Sequence, residues 1–197
     1  MAKIILFIAV IFTFSQVNAD TLYGNMQTVS QDMLNRAGGD ANNFLHTNGN
    51  YSQTRYHPAT QINLENVGDL RPAWIFQTEI VDTMETSPIV VNGVMYVTTS
   101  FNHVYALNAE TGAEIWKYQV DVMEFVDEEW WWPVLSQKSI TYENGTIYFM
   151  ASDCRIIALD ALDGSEVFVI PDVCKNVEGN TGFYFGEHAP LIFENLL

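Results

Sequence analysis

From about residue 85 the chain alternates short apolar runs with polar turn clusters. The stretch Ser87-Pro-Ile-Val-Val-Asn-Gly-Val-Met-Tyr-Val97 sets an apolar strand, Pro88 to Val91, against a second, Val94 to Thr98. Asn92-Gly93 lies between them, and Asn-Gly is the strongest short hairpin signal because both turn positions require positive φ. Phe101-Asn102 reads as the next turn and Val104 to Leu107 as a third strand. Asn108 to Gly112 then turns the chain into a fourth strand, Glu114 to Tyr118.

The whole pattern returns 52 residues later. Asn144-Gly145 and Tyr148 stand where Asn92-Gly93 and Tyr96 stood. Ala158, Gly164 and Phe168 repeat Ala106, Gly112 and Trp116. Two separate segments sharing one offset establish a true repeat. A four-stranded antiparallel unit of about 50 residues has the period of a β-propeller blade. The recurring small residue leaves room for a large ring, so Trp116 and Phe168 are read as packing residues between blades.

Arg71 to Gln77 reads as an outermost strand that precedes the first blade, with Trp74 at the place of Trp116. Ala189-Pro190-Leu-Ile-Phe193 restarts the pattern, Pro190 lying 102 residues after Pro88. The fold class expected is therefore all-β, a partial β-propeller. It comprises about two four-stranded blades, a leading strand and a short helical leader. Propellers close with typically about 4 to 8 blades, and open blade edges expose unpaired backbone. The expectation is a part of a longer product, or one piece of an assembly that completes the ring.

Residues 20 to 70 form the leader. Val29, Met33, Leu34 and Ala37 have helical spacing that stops at Gly38-Gly39. Asn48 to Pro58 is rich in turn residues, and Asn63 is placed to cap a short helical turn through Val67, ended by Gly68. Before the leader, Lys3 precedes an unbroken apolar stretch, Ile4 to Phe14, and Val17 and Ala19 sit at the small positions of a cleavage site. The run is too short to span a bilayer stably, so residues 1–19 read as a signal peptide cleaved after Ala19. The expected domains are this signal, the leader at 20–70, and repeats at 71–197. Blades are expected at about 85–118 and 137–170, and a third begins at 189. A periplasmic or secreted protein is expected, with no membrane span after signal removal.

Composition narrows the partners. The chain holds 24 Asp and Glu against 8 Lys and Arg, a net charge of -16. Such a surface repels phosphate, which argues against nucleic acid and anionic membranes; its field suits solubility, a basic partner or a cation. Hydrophobic residues make up 48% and charged residues 16%, which excludes a disordered chain. The two cysteines, Cys154 and Cys174, are too few for a disulfide scaffold, although export permits a bridge. Folding the second blade's last hairpin about residue 162 places Cys154 opposite residue 170, so Cys174 reaches it only if the chain bends back. The four histidines are scattered and have no zinc spacing; each is read as a surface or hydrogen-bonded structural residue.

Specific motifs then resemble a known family. Asn48-Gly-Asn-Tyr51, Arg55-Tyr-His-Pro58 and Gln61-Ile-Asn63 resemble the leader of the quinoprotein alcohol dehydrogenases, the methanol-dehydrogenase-like enzymes. Leu70 to Trp74, Glu85 to Thr99 and Ala106 to Gly112 continue the likeness. The second blade shares Asp153, Arg155, Ala158 to Ala161 and Gly164. The resemblance implies an eight-bladed propeller that binds pyrroloquinoline quinone (PQQ) on its axis beside a calcium ion. In that family an Asp acts as base while the quinone takes hydride from an alcohol. Electrons then pass to a cytochrome c.

Carried over residue by residue, the resemblance puts the family's quinone-contacting Glu on Glu85, in the context Thr86-Ser87-Pro88. The family Arg that contacts the quinone oxygens falls near Lys138, which keeps the charge but not the bidentate fork. The family's adjacent cysteine pair falls near Trp132-Pro133, where this chain has no cysteine. Trp132, with Trp130 and Trp131, could instead supply a stacking wall for a flat cofactor, an exposed contact patch, or blade packing. Expected cofactor-binding residues are thus Glu85, Lys138 and Trp132. The calcium ligands and the catalytic Asp belong to later blades, so no catalytic or metal residue is assigned within these residues.

The acidic run Glu124, Asp127, Glu128, Glu129 matches no calcium loop and reads as a solvated face. Asn50-Tyr-Ser and Asn144-Gly-Thr are glycosylation sequons of low specificity. The expected function is that of the N-terminal part of an exported PQQ-dependent alcohol dehydrogenase. A second reading keeps the blades without a competent quinone site, as a non-catalytic propeller that binds or assembles partner proteins.

Overall fold

The computed structural model describes residues 29–120, 138–171, 173, 189–194, 196 and 197. Residues 1–28, including the signal peptide reading, lie outside the described residues. So do Trp130, Trp131, Trp132 and the acidic run before them. Among the described residues, no helix is long and apolar enough to cross a membrane.

Eight strands make two separate antiparallel sheets. The first holds β1 (Ile89–Val91), β2 (Val94–Thr98), β3 (Val104–Asn108) and β4 (Glu114–Tyr118) in sequential order. The second holds β5 (Thr141–Glu143), β6 (Thr146–Met150), β7 (Ile156–Asp160) and β8 (Glu166–Ile170), also in order. Asn92 and Gly93 adopt φ of 50° and 81°, and Asn144 and Gly145 adopt 49° and 79°. These are the left-handed pairs a two-residue hairpin needs, and they set Val91 opposite Val94 and Glu143 opposite Thr146.

The repeat extends to irregularities. Each sheet shifts register between its third and fourth strands at one place, Ala106/Leu107 and Ala158/Leu159. In the turns that follow, the Asn108 amide oxygen accepts from Glu110 N and Thr111 N, while the Asp160 carboxylate accepts from Leu162 N. Ala109 N and Ala161 N both donate back to the hairpin glycines, Gly93 and Gly145. One local sequence pattern thus closes the same turn twice.

The two sheets meet through aromatic side chains. Trp116 is buried, and its Nε1 donates to Ala161 O at 3.0 Å. Tyr96 Oη donates to the same carbonyl at 3.1 Å, and its ring lies 5.8 Å from that of Tyr142. Asn102 Oδ1 accepts from both Ser152 N and Ser152 Oγ, at 3.0 and 3.2 Å.

The expected leading strand takes a different form. Arg71 to Gln77 has no assigned strand, because no neighbouring strand pairs with it among the described residues. Its Trp74 nevertheless docks as Trp116 does, Nε1 donating to Ala109 O at 3.1 Å. The ring contact, not a sheet ladder, holds this segment on the first blade.

The leader packs against the free edges of the inner strands. Ser30 caps α1 (Gln31–Arg36) by accepting from Met33 N, and a 3-10 turn, Ala37–Gly39, ends it. The helix is shorter than its apolar pattern because the Gly pair takes up the last turn. Asn63 O accepts from Val67 N and Asn63 Oδ1 from Glu65 N, closing the turn before a second 3-10 segment, Val67–Asp69. Phe44 exchanges both backbone hydrogen bonds with Val90 of β1. Asn43 Oδ1 accepts from Asn92 N, and Val29 O accepts from Asn144 N. Covering an inner edge in this way satisfies backbone groups that would otherwise invite another strand.

Past β8 the chain turns back. Ile156 stands opposite Ile170, where folding about residue 162 predicts Phe168; the turn centres slightly past 162, and the bulge at Ala158/Leu159 moves the register by one more. Val173 N donates to Cys154 O at 2.9 Å. Cys154 is disulfide-bonded, and Cys174 is the chain's other cysteine.

Candidate functional site

The strand heads of the two blades are laced together at one end. Ser87, just before β1, donates its amide to Lys138 O at 3.0 Å. Ser139, its counterpart 52 residues on, is buried and donates its hydroxyl to Ser87 O at 2.7 Å. The leader joins them, Thr47 Oγ1 donating to Ser139 Oγ at 3.1 Å. This lacing fixes the backbone from which two charged side chains project.

Those side chains are Glu85 and Lys138, which the resemblance assigned to the quinone independently. Lys138 Nζ donates to Glu85 Oε2 at 3.0 Å, although the residues are 53 apart in sequence. Their side chains remain 40% and 46% exposed, so both can turn to a ligand. Trp132, the third expected residue, lies outside the described residues.

Glu85, Lys138, Ser87 and Ser139 form one wall of a cleft of about 430 Å³. The leader contributes His46, Thr47, Asn48 and Arg55 to the same lining, and Ala189 to Ile192 completes it. Tyr51 ties these parts together, its hydroxyl donating to Ile192 O at 2.6 Å. His46 Nε2 donates to Leu34 O at 3.0 Å, and its ring lies 4.4 Å from that of Tyr51. Burial holds the His46 pKa below its ordinary 6.5, so the ring is neutral and structural.

Among the described residues, the cleft's lining has the opposite charge balance to the whole chain. Its charged lining residues are Arg55, Lys138 and Glu85, two cations and one carboxylate, in a chain of net charge -16. Local fields act over roughly a Debye length of 8–10 Å, so an anion entering the cleft interacts first with the groups that line it. The volume falls within the roughly 300–1,000 Å³ range of small-molecule sites. A flat, carboxylate-bearing quinone fits this donor set: cations for its acid groups, Glu85 for a ring N–H or a cation.

Sequence reasoning missed the leader wall. Arg55 and Asn48 stood in the motif that carried the resemblance, yet nothing in the repeat pattern placed them beside Lys138. Their signal was a dense turn sequence outside any blade, which is where binding groups concentrate. Among the described residues, no group of His, Cys, Asp and Glu is arranged to hold a metal.

Comparison with known proteins gives a consistent picture. The family model "PQQ: Glucose/ethanol/alcohol dehydrogenase, beta-propeller domain" matches residues 45–168. The dehydrogenase subunit of the quinone alcohol dehydrogenase of Gluconobacter oxydans is 36% identical over 156 residues, covering 79% of this chain and 20% of that protein. The lanthanide-dependent methanol dehydrogenase of Methylorubrum extorquens is 36% identical over 141 residues, covering 68% of this chain and 22% of the relative. The crystal structure of the quinohemoprotein alcohol dehydrogenase of Comamonas testosteroni matches with a TM-score of 0.75 at 31% identity. That match covers 89% of this chain and 26% of that one. The chain spans about a fifth of the length of the curated relatives it matches.

Proposed function

Because the chain belongs to the glucose/ethanol/alcohol dehydrogenase β-propeller family, we propose that it forms part of the quinone site of an exported PQQ-dependent alcohol dehydrogenase. One observation carries this reading: Glu85 and Lys138 meet at 3.0 Å at the heads of successive blades, inside one cleft. Lys138 would hold an acid group or quinone oxygen, and Glu85 would accept from a ring N–H or complete a cation site. Ser139, Ser87 and Thr47 keep the two strand heads in register, so these groups act from a fixed frame. When bound, the quinone supplies a hydride-accepting carbonyl for the oxidation of a small alcohol.

The remaining parts of the reading belong to the whole protein. Further blades would supply the calcium ligands and the catalytic Asp, and a cytochrome c would take the electrons. The absence of cysteine near Trp132-Pro133 supports the second reading, a propeller that binds partners without catalysis.

Titration with PQQ, with and without calcium and followed by tryptophan fluorescence, separates the two. Saturable binding that weakens in Glu85→Gln and in Lys138→Met supports the quinone site. No binding in a folded, complete propeller favours the non-catalytic reading.

A further inference from the structure

The leader side of the cleft carries a cation, Arg55, that no acid neutralises among the described residues. Among the described residues, no carboxylate lies within ion-pair distance of Arg55; the ion pairs there involve Arg36, Lys138 and Arg155. Asn48 grips Arg55 twice instead: Arg55 N donates to Asn48 O at 2.9 Å, and Arg55 Nε donates to Asn48 Oδ1 at 3.1 Å. That second bond leaves the terminal nitrogens of the guanidinium fork available and restricts where they can go.

The backbone is constrained as well. Arg55 sits at φ 55° and Gln53 at φ 53°, a left-handed region that residues other than glycine rarely adopt. Such conformations persist where the surroundings impose them, and they cluster at ligand sites. Gly49, at φ 88°, supplies the left-handed backbone that lets the loop turn. The result is a tight loop, Asn48 to Tyr56, that presents one cation to the cleft that Lys138 also lines.

We propose that Arg55 is a second anion-binding residue of this cleft, taking a carboxylate of the bound molecule from the leader side while Lys138 takes an acidic oxygen from the blade side. The occupant is thereby defined as a molecule with more than one acidic group. This inference rests on the quinone reading above and adds to it a residue that the blade motifs do not contain. A planar fork matches a carboxylate in two hydrogen bonds, which an ammonium cannot do.

The test compares PQQ with its methyl ester, which keeps the ring system and loses the acidic oxygens. The full chain is titrated with each by calorimetry, at low and high ionic strength. For Arg55→Gln the expected result is about a tenfold loss of affinity for the acid, the size of one charge-assisted hydrogen bond, with ester binding unchanged. Arg55→Lys recovers part of the loss, and added salt narrows the preference for the acid. Unchanged acid affinity in Arg55→Gln, with wild-type binding intact, overturns the role of Arg55 and spares the quinone reading. Equal loss for acid and ester overturns it too, and marks Arg55 as a scaffold of its loop. Failure of the wild type to bind either form sinks both readings together.

Discussion

Trp116 lies flat on Gly164: a Cβ built on that glycine would stand 2.7 Å from Trp116 Cε3. Trp74 has the same relation to Gly112, where the Cβ would meet the indole at 2.5 Å. In both cases the indole nitrogen also donates to the alanine carbonyl three residues before the glycine. The glycine therefore serves two ends. It adopts positive φ to close the turn, and it leaves the room into which the preceding ring fits. Phe168 stands at the next such position and is 40% exposed.

The two demands on the glycine can be separated by mutation. Gly93 has φ 81° with nothing within 4 Å of an added Cβ, whereas Gly164 has φ 75° and the Trp116 ring. Gly93→Ala should cost about 1–2 kcal/mol for the left-handed backbone alone. Gly164→Ala should cost a further 1–3 kcal/mol or so for displacing the ring. Urea unfolding of both variants measures the difference. Equal costs would mean that Trp116 shifts freely and the ring contact does not hold the blades.

Cys154 offers a second handle on stability. Its disulfide closes the segment after β8 back onto the head of β7, next to the Val173–Cys154 backbone bond. Reduction, or Cys154→Ser, should cost about 3 kcal/mol by the loop-closure estimate for a loop of this size. Thermal melts with and without reductant test it, and coincident melts would show that the tail is held without the bridge.

The blades were legible in the sequence because their signals are local. Asn-Gly pairs, alternating apolar residues and a fixed offset each depend on a few neighbouring positions. The seating of Arg71 to Gln77 was harder to read, since a strand needs a partner that the segment itself does not encode. The register leading to Cys154 was missed by two positions: Leu159 pairs with Glu166, which centres the turn half a residue past 162, and the bulge adds one residue more. At the cleft, Glu85 and Lys138 came from a family likeness, and their meeting required the fold. The place of Thr47, Asn48 and Arg55 beside them was not legible, because the leader reaches the inner strands through long-range contacts, such as Phe44 on Val90.

Histidine burial predicts a pH dependence with a definite sign. His46 is held below its ordinary 6.5 by burial, and so is His103, where Lys117 adds to the effect. Between the folded values and 6.5 the unfolded chain binds more protons, so stability rises with pH across that window. Stability from this source is full above about 6.5 and declines as pH falls through the folded values. Unfolding free energies measured from pH 5 to 7.5 should show this slope, and His46→Gln should flatten it. An unchanged slope in that variant would remove His46 as a source.

The Glu85–Lys138 pair should matter little to folding and much to binding. Both side chains are about half exposed, and exposed ion pairs contribute roughly 0–1 kcal/mol. The contacts that join the blades at this point are others: the Ser87 amide on Lys138 O and the Ser139 hydroxyl on Ser87 O. Neither uses the charged groups, so Lys138→Met and Glu85→Gln leave both in place. Each variant should therefore unfold within about 1 kcal/mol of the wild type. PQQ affinity should fall about tenfold in Lys138→Met, as for loss of one charge-assisted contact. Lys138→Arg should bind as well as the wild type or better, because a fork replaces a point charge. Denaturant unfolding and quinone titration on the same samples supply both numbers. A loss of more than about 2 kcal/mol of stability in Lys138→Met would show that the pair is part of the joint between blades. The observation that carries the quinone site would then have a purely structural cause.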